Sequence, residues 1–65
     1  MKVAVNGEIR SITDANLEHA LIELGYADMT VATALNGNFV TVGQRVTKTL
    51  TDGDQLEVLA PMQGG

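Results

Sequence analysis

The residues of this chain that could take part in chemistry are few. His19 shares a segment with Glu18 and Glu23, Asp52 and Asp54 flank Gly53, and the sequence closes on Gly64-Gly65 with no cysteine anywhere. A metal or acid–base centre on His19 would rest on the only imidazole of the chain, so the trio reads as a solvated helix face. Asp52-Gly53-Asp54 starts like a calcium loop, but the later ligand positions and the closing acid are missing, and a tight turn accounts for it. No metal is expected. Without a thiol there is no cysteine nucleophile, no sulfur-ligated zinc and no disulfide. That leaves the two glycines. They bury nothing and lose the most backbone freedom when ordered, so their placement asks for a reason other than folding. At ordinary glycine usage, two would close a chain by chance in roughly 0.5% of cases.

Composition narrows the classes. With 65 residues, 45% of them apolar and 18% charged, the chain holds one small core. A domain of this size buries only about 60% of its unfolded surface, which leaves little stability for an internal active-site cavity and disfavours a self-sufficient enzyme. The net charge is −4, and the four basic residues Lys2, Arg10, Arg45 and Lys48 are spread along the chain. No phosphate-binding stripe can be assembled from them, so nucleic acid is not expected as a partner. "MKVAVNGEIR" alternates apolar and polar residues without the apolar run of a signal peptide or membrane span. No membrane association is expected, and with the lack of cysteine this makes a cytoplasmic location the natural one.

Turn signals divide the chain into the elements that must carry those residues. Val3 and Val5 alternate with Lys2 and Ala4, Asn6-Gly7 offers the positive-φ pair of a tight hairpin, and Ile9 and Ile12 follow. From residue 13 the period changes. Leu17, Ala20, Leu21 and Leu24 recur at helical spacing, behind Thr13 or Asp14 as N-cap and ahead of Gly25 as a stop, which predicts an amphipathic helix of about three turns. Val31, Thr33 and Leu35 return to strand alternation, with Asn36-Gly37 turning the chain into Phe39, Val40 and Val42. Residues 43–54 are irregular, with Val46 and Leu50 framed by Gly43 and the Asp52-Gly53-Asp54 turn. "QLEVLA" is a last strand. Hairpin, helix, hairpin, loop, strand predicts an α+β fold of the β-grasp type, a mixed sheet of four to five strands covering one main helix. The expected organisation is a single domain over 1–60 and an extended tail over 61–65.

The last strand also predicts a surface. If Leu56 and Val58 face the core, Leu59 faces away from the helix, and Ala4 shares that outer face if the first and last strands are neighbours. Pro61 removes a donor and restricts its predecessor to extended conformations, so pairing is expected to end there, with Met62 continuing the apolar path toward the tail. Ala4, Leu59 and Met62 form the expected partner interface.

These residues carry a resemblance. "VNGE" after a short first strand, "ALNGNFV" after the helix, "LTDGDQLEVL" before the tail, and the closing Gly64-Gly65 resemble the ubiquitin-like sulfur carriers over essentially the whole chain. The short length and early Asn-Gly-Glu turn resemble the thiamine-biosynthesis branch, the ThiS family, most. One stretch departs from it: after Phe39-Val40 the family often carries a Pro-Arg pair, and this chain has Thr41-Val42, with Arg45 as the candidate substitute.

The resemblance implies a function. A carboxylate is a poor electrophile, so the Gly65 carboxylate would be activated as an acyl-adenylate by a separate ThiF-like adenylating enzyme that uses ATP. A persulfide donor would then supply sulfur to leave a Gly65 thiocarboxylate, which thiazole synthase, a ThiG-like enzyme, would consume. The chain would bind no cofactor of its own and act as a carrier and co-substrate without catalytic side chains. Gln63, Gly64 and Gly65 would enter the partner's site, where glycines let the main chain approach phosphate without a Cβ. Two alternatives stay open: the small subunit of molybdopterin synthase or another pathway's sulfur carrier, and, from a different class, a ubiquitin-like protein modifier or passive binding module.

Overall fold

The computed structural model of the protein describes residues 1–60. Five strands and one α-helix follow in the order β1 (Lys2–Val5), β2 (Glu8–Ser11), α1 (Leu17–Glu23), β3 (Ala32–Leu35), β4 (Asn38–Val40) and β5 (Gln55–Leu59), with a 3-10 helix at Val42–Thr47 between β4 and β5. The sheet order is β2-β1-β5-β3-β4. β1 and β5 run parallel; the other neighbouring pairs are antiparallel. This is the β-grasp layout expected from the turn signals, with the last strand at the centre.

Both hairpins close on Asn-Gly. Asn6 and Gly7 adopt φ of 52° and 84°, and Asn36 and Gly37 adopt 51° and 85°. Positive φ at both central positions is the requirement of a type I′ turn, whose twist matches that of the strands. The helix is shorter than its apolar period suggests, seven residues and two turns, and its N-cap is Asn16, neither Thr13 nor Asp14. Asn16 accepts from the His19 N–H through its side chain. Asp14 instead accepts from the Asn16 N–H, which forms the turn that leads into the helix. A distant segment fixes the start: Leu17 N–H donates to the Lys48 carbonyl and Leu50 N–H to that of Ala15. At the other end Gly25 stops the helix as expected, at φ 99°. Its N–H donates to the Ile22 carbonyl and that of Tyr26 to Leu21, the paired bonds of a Schellman motif.

The core lies between α1 and the inner sheet face. Val3, Val5, Leu35, Val40, Leu56 and Val58 from the strands meet Leu17, Ala20 and Leu21 from the helix, and Ile12, Val31 and Leu50 close the rim. Residues 43–54 thus contribute one deep anchor, Leu50, whereas Val46 is exposed. Among the described residues no helix is long and apolar enough to cross a membrane.

Candidate functional site

The outer sheet face and the end of β5 form the candidate site. Alternation leaves Ala4, Ala32, Ala34, Phe39 and Leu59 on the side opposite the helix, because their neighbours Val3, Val5, Thr33, Val40 and Val58 are buried, and Ile9, on a strand exposed throughout, joins them through its pairing with Ala4. The register assembles them. Ala4 lies opposite Ile9, Ala34 lies between Phe39 and Glu57, and Ala32 lies opposite Leu59. Phe39 is 68%, Ile9 65% and Leu59 63% exposed, so three large apolar side chains share one water-facing sheet face, on which the alanines of β1 and β3 flank Gln55 and Glu57 of the central strand. Such a surface marks an interaction site more often than scattered single residues do. Leu59 stands between two shallow depressions, one over the β1–β5 seam lined by Ala4, Asn6 and Glu57, the other beside Ala32 and Ala60.

Ala4 and Leu59 therefore sit on one face across adjacent strands, as the sequence predicts. Met62, Gln63, Gly64 and Gly65, and the tail over 61–65 as a whole, lie outside the described residues. Ile9 and Phe39 were not singled out from the sequence. The signal for Phe39 was present, since it alternates with Val40, and only one of the two can face the core.

The titratable residues away from this face have structural work. His19 Nδ1 lies 2.9 Å from Asp14 Oδ2 at the surface. The Asn16 N–H, followed by the His19 side chain, holds the Asp14 carboxyl below its ordinary range. Glu23 reaches back along the helix to accept from the Thr13 N–H at 2.9 Å and the Asp14 N–H at 3.3 Å, and these bonds, Thr13 first, lower its pKa. It is a tether for the helix entry and not merely part of a solvated face. Asp54 accepts from the Thr51 N–H at 2.8 Å and the Asn36 side chain at 3.0 Å, which lower its pKa in that order. Asp52 accepts from the Lys2 N–H. Asp52-Gly53-Asp54 is thus a turn that ties the start of β5 to β1 and to the second hairpin. Among the described residues no group of three or more metal-ligating side chains is placed to hold an ion.

The sequence pattern of the ThiS family matches residues 3–65. The chain belongs to the ThiS family. The crystal structure of the thiamine biosynthesis protein ThiS from Geobacter metallireducens is 32% identical in sequence, covers 100% of both chains and superposes with a TM-score of 0.82. The NMR solution structure of a thiamine biosynthesis protein from the same organism, also 32% identical, covers all of this chain and 88% of that one with a TM-score of 0.79. No curated protein sequence matches. The fold is the ubiquitin-like β-grasp of these ThiS structures.

Within that ThiS frame, the stretch after Val40 has a local explanation. Thr41 caps the 3-10 helix in a reciprocal capping box with Gln44. Arg45 does not replace a surface cation: it is 7% exposed and turned inward. Its Nε donates to Thr33 Oγ1 at 3.1 Å, a terminal nitrogen donates to the Val31 carbonyl at 2.6 Å, and Thr33 Oγ1 passes the chain on to the Val40 carbonyl at 2.9 Å. The guanidinium fastens the 3-10 helix to β3 and, through Thr33, to β4.

Proposed function

We propose that this protein is the sulfur carrier of thiamine thiazole synthesis, with the Gly65 carboxylate as the atom group that is loaded and unloaded. The observation that carries the reading is that the ThiS-family match runs through Gly64 and Gly65. A partner of the ThiF type would join the carboxylate to AMP from ATP and release pyrophosphate. The terminal sulfur of a persulfide would then attack the acyl carbon, and AMP would leave. Releasing the free thiocarboxylate from the resulting acyl disulfide takes two electrons, which a thiol can supply. Thiazole synthase of the ThiG type would accept the sulfur and return the carboxylate.

The division of labour follows from the side chains. The one imidazole of the chain is held by Asp14 on the helix side, away from the outer sheet face. The protein contributes a docking surface and a reaching end, and the partners contribute the chemistry. From Leu59, six residues lead to Gly65, a reach of at most about 20 Å. A partner that reads the outer face at Leu59, Ala4, Ile9 and Phe39, with Met62 continuing the contact, must hold its nucleotide within that distance.

The test is the intact mass after incubation with a ThiF-type enzyme, ATP and a persulfide donor, beside a chain lacking Gly65. The expected product carries one sulfur in place of one oxygen, absent from the shortened chain. No change, with the enzyme active on its own carrier, would rule out this pairing. Conversion without transfer to thiazole synthase would point to another sulfur-transfer pathway.

A further inference from the structure

The parallel ladder between β1 and β5 is short, with Ala4 opposite Gln55 and Val5 opposite Leu56. β1 must end there, because the chain turns at Asn6-Gly7 into β2. The last backbone bond of the pair runs from the Asn6 N–H to the Leu56 carbonyl at 2.9 Å. β5 nevertheless continues to Leu59, and the next peptide groups facing β1, those of Val58, have no strand opposite them. The Asn6 side chain fills that place. Its Oδ1 accepts from the Val58 N–H at 2.8 Å and its Nδ2 donates to the Val58 carbonyl at 3.0 Å. A carboxamide presents one acceptor and a donor in a plane, as a peptide does, so Asn6 supplies the missing peptide unit of β1. Asparagine also tolerates the positive φ that the turn imposes. Asn36 clips the opposite end of β5, where its Oδ1 accepts from the Gln55 N–H at 2.9 Å.

We propose that Asn6 is a positioning residue for the tail. β3 holds one edge of β5 as far as Leu59, and the Asn6 carboxamide holds the other edge at Val58, so that the chain leaves the sheet from a point fixed on both sides. The role in delivery rests on the carrier reading above. A fixed point of departure reduces the freedom lost when the end enters a narrow partner site, so the clip acts on binding more than on the chemical step.

The test compares Asn6→Gly with Asn36→Gly. Both keep the positive φ of their turns, and each loses one clip, at opposite ends of the same strand. Amide hydrogen exchange on the protein alone is expected to show at least about tenfold weaker protection at Val58 in Asn6→Gly, relative to the global value, and none in Asn36→Gly. In adenylation by the ThiF-type enzyme, Asn6→Gly is expected to raise KM about three- to tenfold with little change in kcat, and Asn36→Gly to match the wild type at equal folded fraction. Should Asn6→Gly fail to fold, Asn6→Asp keeps the acceptor for the Val58 N–H and loses the donor, and a smaller rise in KM is expected. Unchanged Val58 protection in a folded variant, or equal KM changes at Asn6 and Asn36, would overturn the proposal. A wild-type chain that is never adenylated sinks the carrier reading and the delivery role with it, while the exchange result alone still decides whether Asn6 anchors Val58.

Discussion

The two faces of the sheet are made by the same five strands and differ in almost every other respect. The inner face puts Val3, Val5, Leu35, Leu56 and Val58 against the helix, and these are all buried. The outer face alternates with it residue by residue and leaves Ile9, Phe39 and Leu59 in water. Burial explains the first set, since about 25 cal/mol per Å² of apolar surface is what holds a domain this small together. It does not explain the second, which costs solubility and contributes nothing to the isolated fold. On the carrier reading proposed above, the outer face is the part available to recognition by partner proteins. Substitutions should therefore separate into those that unfold the protein and those that leave it folded but unrecognised.

The contrast breaks hardest at the core. Leu56→Ala on the central strand should cost about 2–5 kcal/mol, a large share of the stability of such a domain, and chemical denaturation should show a folded state lost or nearly lost. Arg45→Met comes next, because it leaves the Val31 carbonyl buried without its donor and takes from Thr33 the donor it accepts. A loss of about 1–3 kcal/mol is expected by the same measurement, although a surface reading of this residue would predict no change. On the outer face, Leu59→Asp should alter stability by no more than about 0.5 kcal/mol. Its kcat/KM for adenylation should fall at least about tenfold, and unchanged kinetics in a folded Leu59→Asp variant would remove Leu59 from the interface. The smallest effect concerns acid. Asp14, Glu23 and Asp54 all have lowered pKa values in the folded chain. A carboxyl whose folded pKa lies below its unfolded one contributes stability above the unfolded value, near 4.5 for Glu23, and loses it as pH falls through the folded value. Denaturation midpoints should drop from about pH 5 downward, and Glu23→Gln should flatten part of that fall.

What could be read in advance was local. Asn-Gly at 6–7 and 36–37 announces positive φ at two adjacent residues, a demand met within the turn itself, and Gly25 announces a helix stop in the same way. The helix start depends on distant partners: Asn16 outcompetes the locally favoured Thr13 and Asp14 because Lys48 and Thr49 pair across it and Glu23 occupies the 13–14 amides. The inward turn of Arg45 is of the same kind, since its acceptors lie 12 and 14 residues away. For the candidate site, alternation in β5 was enough to send Leu59 outward. Placing Ile9 and Phe39 on the same face requires the register of all four strand pairs, which turn chemistry alone does not supply. The tie between Asn6 and Val58 spans 52 residues. A turn motif gives no hint of what its side chain does so far along the chain.

The strand order has a consequence for biosynthesis. β5 is the last of the five strands to leave the ribosome, and it lies between β1 and β3. Before it arrives there are two separate hairpins and a helix with half a cover, and most of the pairing that would join them is long-range and slow to form. A chain that terminates early, before Gln55, thus lacks the seam between its halves and stays exposed to proteolysis. Folding thus waits on β5: a molecule compact enough to survive is one whose synthesis has run at least through Leu59.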